Sequence, residues 1–272
     1  MAKKKILITV KTYPTISVNH GDEIVCTAGF DEEGNWIRIY PVPYRKLDYH
    51  LQYKKYQWIE MDLVKNTNDF RPESYRPIDI EKTNLIILHE KIGTNDNWAY
   101  RKQLVLNKVY TNISELIIEA QSKDKYTSLA VFKPTTIKDF VIRPALRDWN
   151  NKQKAALQQQ NLFEERNSFN VVRKIPFKFS YIFEDINGQE CTLMNEDWEL
   201  GALFWKCLKK HNGDENAACA DVKKKYFDDF ALTKDLYFYL GTTKLHQLRA
   251  PNPFIIIGTF HPKKEYQTKL CF

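Results

Sequence analysis

Between Phe177 and Phe183 every second residue is aromatic: Phe177, Phe179, Tyr181 and Phe183. At two residues per repeat these four rings lie on one face of a β-strand, and a face of that kind has to be buried. The composition points the same way. There are 15 Tyr, 16 Phe and 6 Trp against 9 Gly, and aromatic side chains pack well on a pleated surface. With 43% of the 272 residues hydrophobic, the chain can build a core, which excludes global disorder.

Strands are expected at residues 5–12, 23–30 and 35–42, the last two joined by the turn Asp31-Glu32-Glu33-Gly34-Asn35. Further strands are expected at 57–64 and 84–89. The segment Arg71–Pro77 between them holds two prolines and reads as an ordered loop rather than a central strand. Short helices are expected at 97–105 and 113–121, with strands at 128–133 and 136–142. Residues 148–165, rich in Gln, Lys, Ala and Glu, read as a polar linker helix. After the aromatic strand, Asn187-Gly188 signals a hairpin turn. A helix over 196–210 carries Leu200, Leu203, Phe204, Cys207 and Leu208 as its buried stripe, with Asn195 as its cap and Gly213 as its stop. A second helix over 215–230 and strands at 236–241 and 254–260 complete the chain. The fold class is α+β, with a β-rich N-terminal domain (1–147), a linker helix (148–170) and an α+β C-terminal domain (171–272) whose sheet carries a helix pair.

The formal charge is +7 and the isoelectric point about 8.9, a balance that attracts polyanions. No run approaches the roughly 18 apolar residues of a spanning helix. The lysines at the N-terminus precede an apolar run too short for a signal peptide. A cytoplasmic chain with no membrane partner is therefore expected. The five cysteines, Cys26, Cys191, Cys207, Cys219 and Cys271, contain no CxxC pair and read as free thiols. No histidine stands at a metal or catalytic spacing, and no motif calls for a metal or a cofactor.

The most suggestive segment is Gly34–Lys46. Alternation puts Ile37 and Ile39 inward and Trp36, Arg38 and Tyr40 on the other face, with Tyr44, Arg45 and Lys46 extending the row and Arg71, Tyr75 and Arg76 repeating its composition. Rings alternating with cations suit single-stranded nucleic acid, the bases stacking and the cations meeting phosphate. The competing expectation is that the second half of the chain covers Trp36 and Tyr40, with Arg38 paired to a carboxylate. The strand Cys26-Thr27-Ala28-Gly29, a short acidic turn and Gly34-Asn35-Trp36-Ile37-Arg38 together resemble the opening of prokaryotic dual OB-fold domain proteins. The whole chain also resembles uncharacterised proteins of bacteria, phages and mobile elements. The resemblance implies an OB-like barrel and oligonucleotide binding, in a setting of mobile elements or anti-phage defence. Where a Pro often follows the Arg directly, this chain has Ile39-Tyr40-Pro41-Val42-Pro43.

Three other constellations bear on chemistry. Glu196-Asp197-Trp198-Glu199 is the densest acidic cluster, and an enzyme acting on nucleic acid or nucleotides through a metal would draw its catalytic groups from Glu196, Asp197 or Glu199. The plainer account is a favourable helix N-terminus. Gly241-Thr242-Thr243-Lys244 reads as a polar turn, and Asp79-Ile80-Glu81-Lys82 only faintly echoes a nuclease half-motif. The functional expectation is a nucleic-acid-binding protein. The alternatives are the metal-dependent enzyme and a protein-interaction subunit whose aromatic residues face a partner chain.

Overall fold

Ile6, Leu7 and Ile8 are all buried, so the first strand is apolar on both faces and sits inside the molecule. The computed structural model describes residues 2–79, 86–163 and 171–265. Its first sheet contains β1 (Ala2–Lys11), the short β2 (Thr15–Ser17), β3 (Asp22–Phe30), β4 (Trp36–Val42), β5 (Gln57–Lys65), β6 (Ser74–Pro77) and β7 (Ile87–Lys91). The ring runs β1-β3-β4-β6-β5 and back to β1, antiparallel throughout except for the parallel pair β4–β6. Such a closed five-strand barrel is compatible with an OB-like fold. Ile6, Ile8, Ile37, Ile39, Ile59, Met61 and Leu63 fill its interior. Leu7, Val10, Ala28 and Phe30 point outward and are buried all the same.

The segment expected to be a loop supplies the strand that closes the barrel. Ser74 and Tyr75 pair with Arg38 and Ile39 on one side, and Tyr75, Arg76 and Pro77 pair with Lys65, Val64 and Leu63 on the other. Pro72 precedes the strand and Pro77 is its last residue, so neither ring interrupts the pairing.

The chain continues through α1 (Asn95–Val105), β8 (Val109–Tyr110), α2 (Ile113–Gln121), β9 (Leu129–Phe132), β10 (Thr136–Pro144), α3 (Asn151–Phe163), β11 (Phe177–Glu184), β12 (Glu190–Met194), α4 (Trp198–Lys210), α5 (Glu215–Lys223), β13 (Tyr237–Thr242) and β14 (Phe254–Phe260). A π-helical stretch, Lys224–Ala231, extends α5. One sheet has the order β10-β11-β12 and another β14-β13-β9-β8. The second of these is buried on both faces. Leu129, Val131, Tyr239 and Ile257 face the outside of the barrel. Ala130, Phe132, Phe238, Leu240 and Ile256 face a core shared with β11, α2, α4 and α5. There the aromatic strand buries Phe179, Tyr181 and Phe183, with Phe177 half-covered. The fold is thus α+β, and among the described residues no helix is long and apolar enough to cross a membrane.

Two helix starts differ from expectation. Asp197, not Asn195, caps α4, accepting from the Glu199 N–H, while the Asn195 side chain accepts from the Asp197 N–H. At the start of α1, Asp96, Asn97 and Trp98 all have left-handed backbone angles (φ 48°, 50° and 64°), a conformation rare for a residue as bulky as tryptophan. Cys26, Cys191, Cys207 and Cys219 are free thiols. Cys271, Ile80, Glu81, Lys82 and the last residues of the expected linker helix lie outside the described residues.

The glycine of Cys26-Thr27-Ala28-Gly29 has a steric cause. Gly29 pairs with Ile8 on β1, and a Cβ there would sit 1.9 Å from the Leu7 carbonyl oxygen. Because the obstacle is backbone, Gly29→Ala is expected to destabilise the protein by about 2–3 kcal/mol, read as a lower urea midpoint at unchanged slope.

Candidate functional site

The aromatic–cationic row of β4 does not form an open platform. Arg38 is 4% exposed. Its Nη2 donates to the carbonyl (3.0 Å) and Oγ (2.9 Å) of Ser128, the residue just before β9, and Nη1 contacts Cys26 Sγ. The partner is thus Ser128, whose hydroxyl in turn donates to Glu73, and among the described residues no carboxylate hydrogen-bonds Arg38 directly. Arg71 is buried beside it, held by Asp69 and by the Thr242 carbonyl (2.7 Å). Tyr40 is half-buried with its ring edge-on to His20. Tyr44 is buried in the barrel core, Arg45 pairs with Glu23 (2.7 Å), and Lys46 pairs with Asp22 (2.7 Å). Arg76 is exposed. The physical reason is the double-sided sheet: the outer face of β3 and β4 is apolar enough that the C-terminal strands cover it. Two of the expected residues do meet. Trp36 and Tyr75, both half-buried, line a groove of about 590 Å³ with Lys4, Lys108 and Lys125, and the carboxylates of Asp31 and Glu73, on its walls.

A second cavity, about 650 Å³, gathers more charge. Its cations come from both halves of the chain: Lys11 at the end of β1, Lys54 and Lys55 before β5, Lys91 at the end of β7, Arg101 on α1 and Lys206 on α4. Tyr56, Trp98 and Trp198 supply rings, and Glu199 is the carboxylate among the described lining residues. Lys54, Lys91 and Lys206 are exposed.

The floor of this cleft is built rather than incidental. Lys55 is buried, and its ammonium lies 2.7 and 2.8 Å from the two Asp197 oxygens and 3.3 Å from Glu199. Burial alone would lower its pKa, but Asp197 and Glu199 more than offset this and hold it above the usual lysine range. Lys55 in turn draws the Glu199 carboxyl below its ordinary value. Arg101 is clamped over the Tyr56 ring (3.9 Å) and the Trp98 ring (4.9 Å) while donating to the Ile92 carbonyl. The strained backbone at Trp98 therefore places its indole between Arg101, Phe260 and His261. Strain of this kind clusters at functional sites. Lys11 is held by Tyr44 and Tyr53, and burial, reinforced by the Lys55 charge, brings its ammonium down to about 8. Perturbed lysines, a carboxylate and a histidine in one cleft mark it as a functional candidate.

Of the acidic cluster, the structure brings Glu199 to this cleft, buries Asp197 behind it on Lys55, and leaves Glu196 exposed and off its lining. Both Asp197 oxygens are engaged by Lys55, so its first role is structural. Lys11, Lys55, Lys91, Arg101 and Lys206 were missed in the sequence because they span some two hundred positions. The only local signal was Trp198 beside the acidic residues.

The model for the domain of unknown function DUF8758 matches residues 2–107. The model for the domain of unknown function DUF8757 matches residues 109–271, more than half of the chain. The chain belongs to the DUF8757 family. No curated protein matches it. The two matched segments meet at residue 108, between α1 and β8, and both contribute side chains to the cleft.

Removing one partner of the buried pair leaves the other charge uncompensated. Asp197→Ala is expected to cost about 3–5 kcal/mol, whereas Lys55→Met combined with Asp197→Leu costs less, both measured by urea unfolding. His261 gives a pH test. Burial and then the Lys55 charge depress its folded pKa to about 4, below the unfolded value of about 6.5. The unfolded chain therefore takes up a proton first, so stability falls as pH drops from about 6.5 toward 4. His261→Phe should flatten that part of the urea-midpoint-versus-pH curve.

Proposed function

We propose that this chain binds single-stranded nucleic acid, and that the cleft between the barrel and α4 is where it holds the strand. One observation carries the reading: Lys11, Lys54, Lys55, Lys91, Arg101 and Lys206 converge with the rings of Tyr56, Trp98 and Trp198 on one cavity. Cations that track phosphates beside rings that stack bases are what sequence-tolerant strand binding uses. The volume falls in the range of ligand pockets. The OB-compatible barrel supports the reading as architecture only, since its β3–β4 face is covered. Trp36 and Tyr75 in the neighbouring groove, with Lys4, Lys108 and Lys125, supply a second set of rings and cations of the same chemistry. The resemblance to phage and mobile-element proteins adds a setting in which single strands arise, and a role in such elements or in defence against them extends the proposal.

Fluorescence anisotropy with a labelled oligothymidylate of about twelve nucleotides tests it. Wild-type affinity should fall steeply with salt. Lys91→Glu combined with Lys206→Glu changes two exposed residues and should leave the urea midpoint near wild type. It should weaken binding at low salt about tenfold or more and flatten the log–log salt slope by roughly 1.4, at about 0.7 for each phosphate no longer neutralised. Absence of wild-type affinity at low ionic strength, or equal affinity in the double variant, sinks the assignment.

A further inference from the structure

Resting on the strand-binding reading, we propose that Lys11 is the seat of a terminal phosphate, the phosphomonoester at the end of a strand. Lys11 is 7% exposed yet lines the cleft. Its ammonium donates to the Tyr44 hydroxyl (3.0 Å) and the Tyr53 carbonyl (3.1 Å). It lies over the rings of Tyr44 (4.3 Å) and Trp198 (5.2 Å). These are neutral partners. The charges that face it are Lys55, the Glu199 and Asp197 carboxylates, both of them bonded to Lys55, and Lys91 at the rim. Among the described residues no carboxylate lies within ion-pair distance of Lys11. A buried ammonium without a counter-ion is costly, and an anion entering from the cleft supplies one.

The depth of the site selects the kind of anion. An internal phosphodiester is tethered on both sides and shares one charge between two oxygens, so drawing it down to a nearly covered ammonium drags two nucleotides with it. A terminal monoester projects from the strand, offers three oxygens and carries nearly two charges at neutral pH. Its second charge also suits a second cation, and Lys91 lines the same cleft. Glu199 remains held by Lys55 at 3.3 Å, which keeps its negative charge from opposing the phosphate alone.

The test compares three versions of one internally labelled oligothymidylate: 5′-phosphorylated, 3′-phosphorylated and hydroxyl at both ends. At pH 7 the wild-type protein should prefer one of the phosphorylated strands by about tenfold or more, as a charge-assisted contact implies. The two phosphorylated arms show which end is read. The phosphate is already fully ionised above roughly pH 7, whereas burial brings Lys11 down to about 8. The preference should therefore fade by about pH 9.5 in the wild-type protein, an arm that needs no variant. In Lys11→Met the three strands should bind alike. Equal binding of all three by the wild-type protein overturns this inference and leaves strand binding standing. A preference that survives in folded Lys11→Met, or is unchanged at about pH 9.5, overturns the assignment to Lys11. No affinity for any strand overturns this inference and the strand-binding reading together.

Discussion

The burial of one sheet on both of its faces organises the molecule. Odd-numbered side chains of β9, Leu129 and Val131, pack on the outside of the barrel, while Ala130 and Phe132 pack into the second core. β13 repeats the division, with Tyr239 on one side and Phe238 and Leu240 on the other. A strand apolar on both faces has no side to give to water. The barrel must therefore cover one face and the helices the other. Everything at the seam follows: the internal hydrogen bonds of Arg38 and Arg71, the half-covered Trp36, and a cleft whose walls come from residues far apart in the chain.

Local patterning made several elements legible. The alternating rings of 177–183, the 31–35 turn between β3 and β4, and the apolar stripe of α4 each announce themselves within a dozen residues, because strand and helix periods are local properties. The β6 strand was not legible. Its two prolines argue against a central strand, and only their placement, one before the strand and one as its last residue, reconciles them with pairing on both sides. That placement depends on where β4 and β5 lie, which no local window contains.

The candidate site shows the same division more sharply. Alternation correctly separated Ile37 and Ile39 from Trp36, Arg38 and Tyr40, but period alone does not say whether the second face meets water or another sheet. An arginine in a strand reads as polar and exposed. Here the guanidinium serves as a bolt across the seam, its Nη2 held by a serine ninety positions away. The cleft that gathers the cations draws on residues from Lys11 to His261, so folding had to be known before it could be read. The acidic residues at the start of α4 were legible as a cluster. Their division into a buried latch, Asp197, and a carboxylate facing the cleft, Glu199, required the position of Lys55.

The apolar seam also bears on how the two matched segments depend on each other. Leu7, Val10, Ala28 and Phe30 from the first matched segment share one core with Leu129, Val131, Tyr239 and Ile257 from the second. Either segment alone would present a contiguous greasy surface of the kind that drives association. Neither segment therefore has a finished surface of its own, and each acts as the lid on the other's apolar face.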